Sequence, residues 1–173
     1  MTSAAWHIRR LATVDGAQVQ GLAAVLIDCV DGGASVSFMD PLSHSRAVAF
    51  WQEVACDVAA GKRALLVAED AQGVCGTVQL VLDLPENQPH RADLAKMLVH
   101  RRARRRGIAA ALVHAAEFTA RECGRTLLVL DTASDEAARV YERSGWQRVG
   151  AIPDYALLPR GGLCPTTIYY RSL

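Results

Sequence analysis

Apolar residues recur at the three- and four-residue spacing of one helix face in four stretches of the chain, which predicts four amphipathic helices. The predicted helices cover residues 15–31, 40–61, 107–124 and 134–145. Asp15 and Gln18 make a capping-box pattern at the start of the first helix. Asp40 supplies an N-cap and Pro41 a first-turn proline for the second, and Ser134 caps the fourth.

Short apolar runs between these helices predict strands. Residues 64–69 and 75–82 flank a turn at residues 70–73 and predict a β-hairpin, and a weaker alternation predicts a first strand at residues 6–11. Residues 91–99 and 126–130 stand before and after the third helix, so they predict two parallel strands joined by a right-handed crossover. Closing strands are expected at residues 146–149 and 166–171, around a loop at residues 153–165.

Length and composition narrow the class of protein. A chain of 173 residues suits one domain, residues 1–173, and 51% hydrophobic with 21% charged residues is typical of globular proteins. The net charge of +1 argues against non-specific nucleic-acid binding. No apolar segment reaches the length of a bilayer span, and the first residues lack the apolar core of a signal peptide. We therefore expect a cytoplasmic protein without nucleic-acid or membrane partners.

The cysteines and histidines give no sign of a metal site. The five cysteines are odd in number and form no C-x-x-C pair, and no histidine stands at a metal-ligand spacing. We expect reduced thiols and no bound metal.

The candidate chemistry lies in residues 94–116, where an apolar run passes through a loop with five arginines into a helix that begins at Gly107. The first N–H groups of a helix have no intrahelical partners and carry the positive end of its dipole, so such a turn can bind phosphate groups. A solvated charged loop is the alternative for the arginines. Nucleic-acid binding ranks lower, because no aromatic residue is interleaved with them.

Two motifs in this order resemble those of a known family. Residues 104–109, RRRGIA, match the [QR]-x-x-G-x-[GA] turn of the GNAT acetyltransferases, and residues 134–146, SDEAARVYERSGW, are similar to their N-x-x-A-x-x-[LF]-Y-x-x-x-G-F signature. The resemblance implies a mixed α/β (α+β) GNAT fold. That fold has a central, mostly antiparallel twisted sheet with one parallel, splayed strand pair, flanked by about four helices.

Within the family, residues 31–39, 90–99 and 160–170 look most similar to the tabtoxin-resistance type, which acetylates a small β-lactam amino-acid toxin. The chain departs from the common pattern at Ala109, Ser134 and Trp146. Asp93 departs from the subtype, which usually has glutamate there, and its shorter side chain moves the carboxylate by about one methylene.

The resemblance implies that acetyl-CoA binds as co-substrate at the glycine turn and at the end of the preceding strand. Splayed parallel strands would leave backbone groups of Met97 and Val99 free for the pantetheine amides, with the Val99 N–H as an oxyanion donor. The expected acetyl-CoA contacts are Met97, Leu98, Val99, Arg104, Arg105, Arg106, Gly107, Ile108, Ala109, Ala110, Ser134 and Tyr141.

Three residues are expected to carry the proton transfers. Asp93 is favoured as the base, directly or through water, with Asp131 assisting it or orienting the acceptor; both carboxylates also admit a structural role paired with arginine. By the family motif Tyr141 protonates the departing thiolate, which suits a phenol of pKa about 10 against roughly 8.5 for a thiol; packing beneath the cofactor is its alternative. The expected acceptor contacts are Ser35, Phe38, Asp93, Asp131 and Tyr155.

Together these features predict acetyl transfer to an amine or hydroxyl of a small molecule, such as an antibiotic or a β-lactam amino acid. The attack is expected to be direct, in a ternary complex, because no cysteine stands beside a base in a nucleophile motif. Two alternatives stay open: a non-catalytic acyl-CoA-binding regulatory domain, and a protein or peptide N-acetyltransferase. The sequence leaves the acceptor's identity and the choice between monomer and homodimer undecided.

Overall fold

The computed structural model describes residues 5–173, which form seven strands, four α-helices and one 3-10 turn. The strands are β1 (Trp6–Leu11), β2 (Arg63–Asp70), β3 (Gly73–Val81), β4 (Arg91–Val99), β5 (Leu127–Thr132), β6 (Gln147–Leu157) and β7 (Leu163–Ser172). The helices are α1 (Gly16–Asp31), α2 (His44–Ala59), α3 (Ile108–Glu122) and α4 (Asp135–Arg143), with the 3-10 turn at Arg101–Ala103. None of these helices combines the length and the apolar composition that a bilayer span requires.

All seven strands belong to one sheet with the order β1-β2-β3-β4-β5-β7-β6. Every neighbouring pair is antiparallel except β4 and β5, whose parallel pairing runs only from Arg91 and Leu127 to Asp93 and Val129. Beyond that point the two strands continue without pairing, so a gap opens between their carboxyl ends. The predicted mixed sheet with one splayed parallel pair is confirmed.

The helices cover both faces of the sheet and make two cores. The α3-side core contains residues of α3 and α4 with one face of the sheet, among them Leu66, Leu80, Leu94, Ile108, Leu112, Leu128, Leu130 and Tyr141. The α1–α2-side core contains the other face, with Leu22, Leu26, Trp51, Leu65, Val67 and Leu98 among its members. Helix α3 approaches β3 closely at Gly76, where an added Cβ would lie 3.1 Å from Ile108 Cγ2.

The start of α2 differs from the prediction. The helix begins at His44, and its N-cap is Ser43, whose hydroxyl accepts a hydrogen bond from the Arg46 N–H at 3.3 Å. The predicted cap, Asp40, instead forms an ion pair with Arg160 at 3.0 Å. The carboxylate is therefore occupied by a residue distant in the sequence, and the prediction of a helix start at Asp40-Pro41 is wrong.

The predicted loop at residues 153–165 is also wrong, because β6 continues to Leu157 and β7 begins at Leu163. The register between them shifts between Ile152 and Ala156, and Asp154 has φ +50°. This irregularity contains Pro153 on an edge strand, where a residue without an N–H is tolerated. The sequence features that predict a loop therefore mark a β-bulge within a hairpin.

Candidate active site

A β-bulge in β4 shapes the gap between β4 and β5. Lys96 has a left-handed backbone, φ +50°, and the register with β3 shifts by one residue between Thr77 and Gln79. The extra residue reverses the alternation of side chains along the strand. Leu94 accordingly packs in the α3-side core, whereas Leu98 packs in the α1–α2-side core.

The backbone of Val99 faces the gap. The His100 N–H donates to the Cys75 carbonyl at 2.9 Å, so the facing residues Gly76 and Val99 form a non-hydrogen-bonded pair. In such a pair the N–H and carbonyl of each residue point away from the partner strand, which for Val99 means toward β5. Arg104 Nε donates to its carbonyl at 3.4 Å. The Val99 N–H, on a residue predicted to contact acetyl-CoA, thus points from the edge of β4 into the gap.

The basic turn, residues 101–107, leads from β4 into α3. Arg105 and Gly107 both have positive φ, 61° and 79°, and no side chain caps the helix at Gly107. The first intrahelical bond runs from the Ala111 N–H to the Gly107 carbonyl at 3.2 Å. The N–H groups of residues 108–110 therefore have no intrahelical acceptor, and these residues line a cleft. The turn has the form of an anion-binding site.

The arginines of the basic turn divide into two groups. Arg102 and Arg106 both donate to Asp70 Oδ2, at 2.8 and 2.9 Å, and hydrogen bonds from Arg102 and Arg106 lower the pKa of Asp70 to about 2. These two guanidinium groups hold the turn against the end of β2. Arg104 and Arg105 line the cleft.

The cleft has a volume of about 1450 Å³ and extends from the basic turn, past the gap, to the acceptor end, which we define by residues 32–39 and by residues 155–158 and 164–166 of the β6–β7 hairpin. Most of the predicted site residues line it. They are Ser35, Phe38, Met97, Leu98, Val99, Arg104, Arg105, Gly107, Ile108, Ala109, Ala110, Asp131, Ser134, Tyr141 and Tyr155. Asp93 and Arg106 do not line it. The binding roles of all these residues stay predictions.

Asp131 and Tyr141, two of the residues predicted to carry proton transfers, both line the cleft. Thr166 Oγ1 donates to Asp131 Oδ2 at 2.7 Å, which fixes the carboxylate at the end of β5. Burial, with a smaller contribution from the Asp131 charge, raises the pKa of the Tyr141 phenol well above its usual value. The phenol ring packs between Trp146 and Tyr169, with centroid distances of 5.6 and 6.1 Å. A protonated phenol and a carboxylate are therefore available at one place.

Asp93 lies on the same face of the sheet as Asp131, because the neighbouring Leu94 and Leu130 both point into the α3-side core. Its carboxylate pairs with Arg91, two residues earlier on the same strand. The structure thus brings Asp131 into the cleft and leaves Asp93 outside it.

Contacts between two distant segments join the two sides of the acceptor end. The Asp40 N–H donates to the Pro159 carbonyl at 2.9 Å, and its carboxylate pairs with Arg160 at 3.0 Å. Arg160 Nη2 also donates to the Asp31 carbonyl at 2.6 Å. The connection between α1 and α2 is therefore joined to the β6–β7 turn, residues 158–162, by residues that do not themselves line the cleft.

Sequence reasoning missed several residues of the cleft, among them Lys96 and Thr166. Lys96 Nζ donates to Ser37 Oγ at 3.1 Å and lies 5.9 Å from the centroid of the Phe50 ring. Its position depends on the bulge, for which a non-glycine residue gives no sequence signal. Thr166 meets Asp131 only through the pairing of β5 with β7. The strand pattern at residues 166–171 was the available signal, and it did not give the register.

The fold and the cleft place the chain in the class of mixed α/β proteins whose site opens between two diverging parallel strands. A family model described as "Acetyltransferase (GNAT) domain" matches residues 61–148, from the end of α2 into β6. The chain belongs to the GNAT acetyltransferase family, whose members use acetyl-CoA.

Solved structures of the same fold agree with this assignment. A ribosomal-protein-alanine N-acetyltransferase from Brucella melitensis is 20% identical, with 96% of this chain and 99% of that chain covered and a TM-score of 0.81. An N-acetyltransferase from Staphylococcus aureus Mu50 is 17% identical, with 98% and 99% covered and a TM-score of 0.79. The yncA protein from Salmonella typhimurium, with its cofactor acetyl-CoA, is 19% identical, with 98% and 94% covered and a TM-score of 0.78. At these identities the likeness concerns the fold.

Proposed function

We propose that this chain moves the acetyl group of acetyl-CoA to the amine of a small molecule, by direct attack in a ternary complex. The observation that carries the proposal is the joint presence of Asp131, Tyr141 and the uncapped start of α3 in one cleft. A thioester supplies an acyl group that an uncharged amine can attack. The chain has to bind it, take a proton from the amine and return one to the thiolate.

The residues of the cleft fit acetyl-CoA by the chemistry of their donors. The N–H groups of residues 108–110, together with Arg104 and Arg105, suit a diphosphate, because backbone donors and guanidinium groups both bind phosphate oxygens. The unpaired edge of β4 suits a ligand with amide groups, since such ligands add to a sheet edge as a strand does. The Val99 N–H is available there as an oxyanion donor.

We propose Asp131 as the base. It takes a proton from the acceptor ammonium, directly or through water, and Thr166 holds its carboxylate. Asp93, which the sequence favours, is paired with Arg91 and lies outside the cleft, so a role for it would require that pair to open. Tyr141 donates the proton to the departing thiolate, because its raised pKa keeps the phenol protonated at neutral pH.

A small acceptor is favoured over a protein chain because the two sides of the acceptor end are tied to each other. The ion pair between Asp40 and Arg160, outside the cleft lining, limits how far these sides can separate to admit a peptide. We therefore propose small amines, with β-lactam amino acids among them, as the acceptors to test first. Peptides serve as the comparison.

The test is release of the CoA thiol from acetyl-CoA with a panel of amines, amino acids, β-lactam amino acids and N-terminal peptides. With the best acceptor, Asp131→Asn is expected to lower kcat by about 10²- to 10⁴-fold, the usual worth of a positioned base. Asp93→Asn serves as the matched carboxylate variant and should change kcat far less. Both variants should keep the rise in Tm that acetyl-CoA produces.

Three results would contradict parts of this proposal. A larger kcat loss in Asp93→Asn than in Asp131→Asn would return the role of base to Asp93. Turnover of peptides alone would replace the small acceptor by a protein. Binding of acetyl-CoA without thiol release for any acceptor would favour a non-catalytic acyl-CoA-binding domain.

A further inference from the structure

Lys96 is a cation in the cleft that the proposed acetyl transfer does not use. The chain has two lysines, Lys62 and Lys96. Lys62 lies at the surface with its Nζ 3.5 Å from Asp83. Lys96 lines the cleft and is partly buried, and its Nζ donates to the Ser37 hydroxyl. Among residues 5–173, no carboxylate oxygen lies within 4.0 Å of this Nζ, so the ammonium has a neutral partner only.

Three features make Lys96 costly where it stands. Burial lowers the pKa of its ammonium, and the positive charge of Arg63 acts in the same direction. The negative charge of Asp131 opposes them without a direct ion pair. The left-handed backbone, φ +50°, adds strain at a residue other than glycine. The direct contacts of Nζ are one hydrogen bond to a hydroxyl and one aromatic ring at 5.9 Å, so no counter-ion in the described part of the chain neutralises the partly desolvated cation.

Lys96 also contacts an aromatic ring, which does not neutralise its charge. The Nζ lies 5.9 Å from the centroid of the Phe50 ring, and the nearby Phe38 ring has the Arg46 guanidinium 5.7 Å from its centroid. Phe38 and Phe50 contact each other edge to face at 5.3 Å. Lys96 on β4 and Asp131 on β5 thus present opposite charges to the same cleft.

We propose that Lys96 binds a carboxylate of the acceptor, while Asp131 faces the acceptor's amine. This inference rests on the proposed acetyl transfer and makes it narrower: the acceptor is a zwitterion of the amino-acid kind, with its two charges matched by residues on the two diverging strands. Lys96 is then a residue that determines specificity and takes no part in proton transfer.

The kinetic test compares an amino acid with its carboxamide, which keeps the amine and removes the negative charge. The parent protein should show a KM about 10- to 100-fold lower for the amino acid, the worth of a charge-assisted hydrogen bond. Lys96→Met should raise that KM to the value for the carboxamide and leave kcat, the carboxamide KM and the acetyl-CoA KM nearly unchanged. Lys96→Arg should restore part of the preference.

Two control variants separate this role from others. Lys62→Met removes the other lysine and should behave as the parent. Ser37→Ala removes the hydrogen bond to Nζ without the charge, so it should keep the preference for the amino acid. A fall in kcat for both acceptors in Lys96→Met would mean that Lys96 acts as a base or supports the fold, and equal KM values for both acceptors in the parent would mean that no carboxylate site exists. Either result overturns the proposal.

A binding measurement keeps the proposal independent of turnover. With two lysines, ¹³C-labelled lysine gives two side-chain ε-carbon resonances, and the two methionine variants assign them. N-acetylglycine, added with CoA, should shift the Lys96 resonance and leave the Lys62 resonance in place, whereas N-acetylglycinamide should move neither. No shift of the Lys96 resonance at high millimolar N-acetylglycine overturns the proposal. A shift without thiol release for any acceptor would show that the acetyl transfer has failed and the carboxylate site stands.

Discussion

Tyr141 is only 4% exposed, and its hydroxyl donates a hydrogen bond to no residue in the described chain. Burial raises the pKa of this phenol, and the Asp131 charge adds to the effect. The hydroxyl therefore stays protonated through neutral and mildly alkaline pH. The Tyr141 phenol has a higher pKa than the thiol that the departing thiolate forms, so proton transfer between them is unfavourable. This limits the rate unless the phenol oxygen and the thiolate sulfur are held in contact.

Replacement of Tyr141 by phenylalanine tests the acid directly. Tyr141→Phe keeps the packing against Trp146 and removes the proton, so kcat should fall by about 10²- to 10⁴-fold while acetyl-CoA still raises the Tm. Steady-state thiol release and thermal melting measure the two effects. Tyr169→Phe is the control, since Tyr169 donates to Glu142 at 2.8 Å and does not line the cleft. If Tyr141→Phe turns over within a few-fold of the parent, the phenol only packs.

How well single residues of the site could be predicted depends on whether their partners are local. Ser134 was predicted as an N-cap, and its hydroxyl accepts from the Ala137 N–H at 3.2 Å, three residues on. The motif around Tyr141 is likewise a local pattern. Thr166 and Lys96 reach the cleft through strand pairing and a bulge, which no local spacing encodes. Asp93 could be located on its strand but not paired, because the contact with Arg91 depends on side-chain conformation.

At the scale of elements, the helices differ in how their first turns are satisfied. Helix α1 has a full capping box between Asp15 and Gln18, with both hydrogen bonds at 2.8 Å. Helix α4 has Ser134 as cap and two acidic residues in its first turn. Helix α3 has Gly107 at its N-cap position and has neither a side-chain cap nor an acidic residue in its first turn, although seven of its residues are buried. The missing cap leaves donors for an external anion at the end of an otherwise well-packed helix.

A negative charge at the start of α3 should separate fold stability from cofactor binding. Ala110 is exposed, lies in the first turn and lines the cleft. Ala110→Glu should leave the Tm of the free protein unchanged or raise its free energy of unfolding by about 0.3–1 kcal/mol, because acidic residues favour a helix start. The same charge repels a diphosphate, so the rise in Tm with acetyl-CoA should disappear.

The control for this variant lies on the same helix. His114 is exposed and stands beyond the first turn, so His114→Glu should keep the full rise in Tm with acetyl-CoA. A normal rise in Ala110→Glu would argue that the diphosphate does not bind at this helix start.

The elements that the sequence predicted well are those with a strong period and a local stop signal. The β2–β3 hairpin, the crossover through α3 and the end of α2 near Gly61 are confirmed within a few residues. The central part of the β6–β7 hairpin, within residues 153–165, is predicted as a loop, since the strand β6 is exposed on both faces and shows no alternation to detect. Its position comes from pairing with β7, which depends on the whole sheet.

At the scale of the molecule, the two cores share one sheet, and Asp70 links the end of β2 to the segment that carries the basic turn. The Asp70 side chain is 5% exposed and accepts from Arg102 and Arg106. These contacts join residues more than thirty positions apart in the sequence, as the separation of 32 for Arg102 indicates. A carboxylate held in this way stabilises the folded chain only while it is ionised.

Acid unfolding should therefore reveal Asp70. Its pKa in the folded chain, about 2, is below the value of about 3.9 expected for an unfolded aspartate, so its contribution is fully present above about pH 4 and is lost as the pH falls toward 2. At neutral pH, Asp70→Asn should lower the free energy of unfolding by about 1–3 kcal/mol, as measured by urea denaturation. The difference from the parent should shrink steadily below about pH 4.

An exposed aspartate provides the contrast for this measurement. Asp83 is 63% exposed at its side chain and pairs with Lys62 at 3.5 Å, so Asp83→Asn should change the free energy of unfolding by less than about 0.5 kcal/mol at any pH. If the Asp70→Asn difference were the same at neutral and acidic pH, its cause would be altered packing at the β2–β3 turn. A difference that closes with falling pH requires the charge itself, and it would show that the ion pairs of Arg102 and Arg106 with Asp70 stabilise the fold.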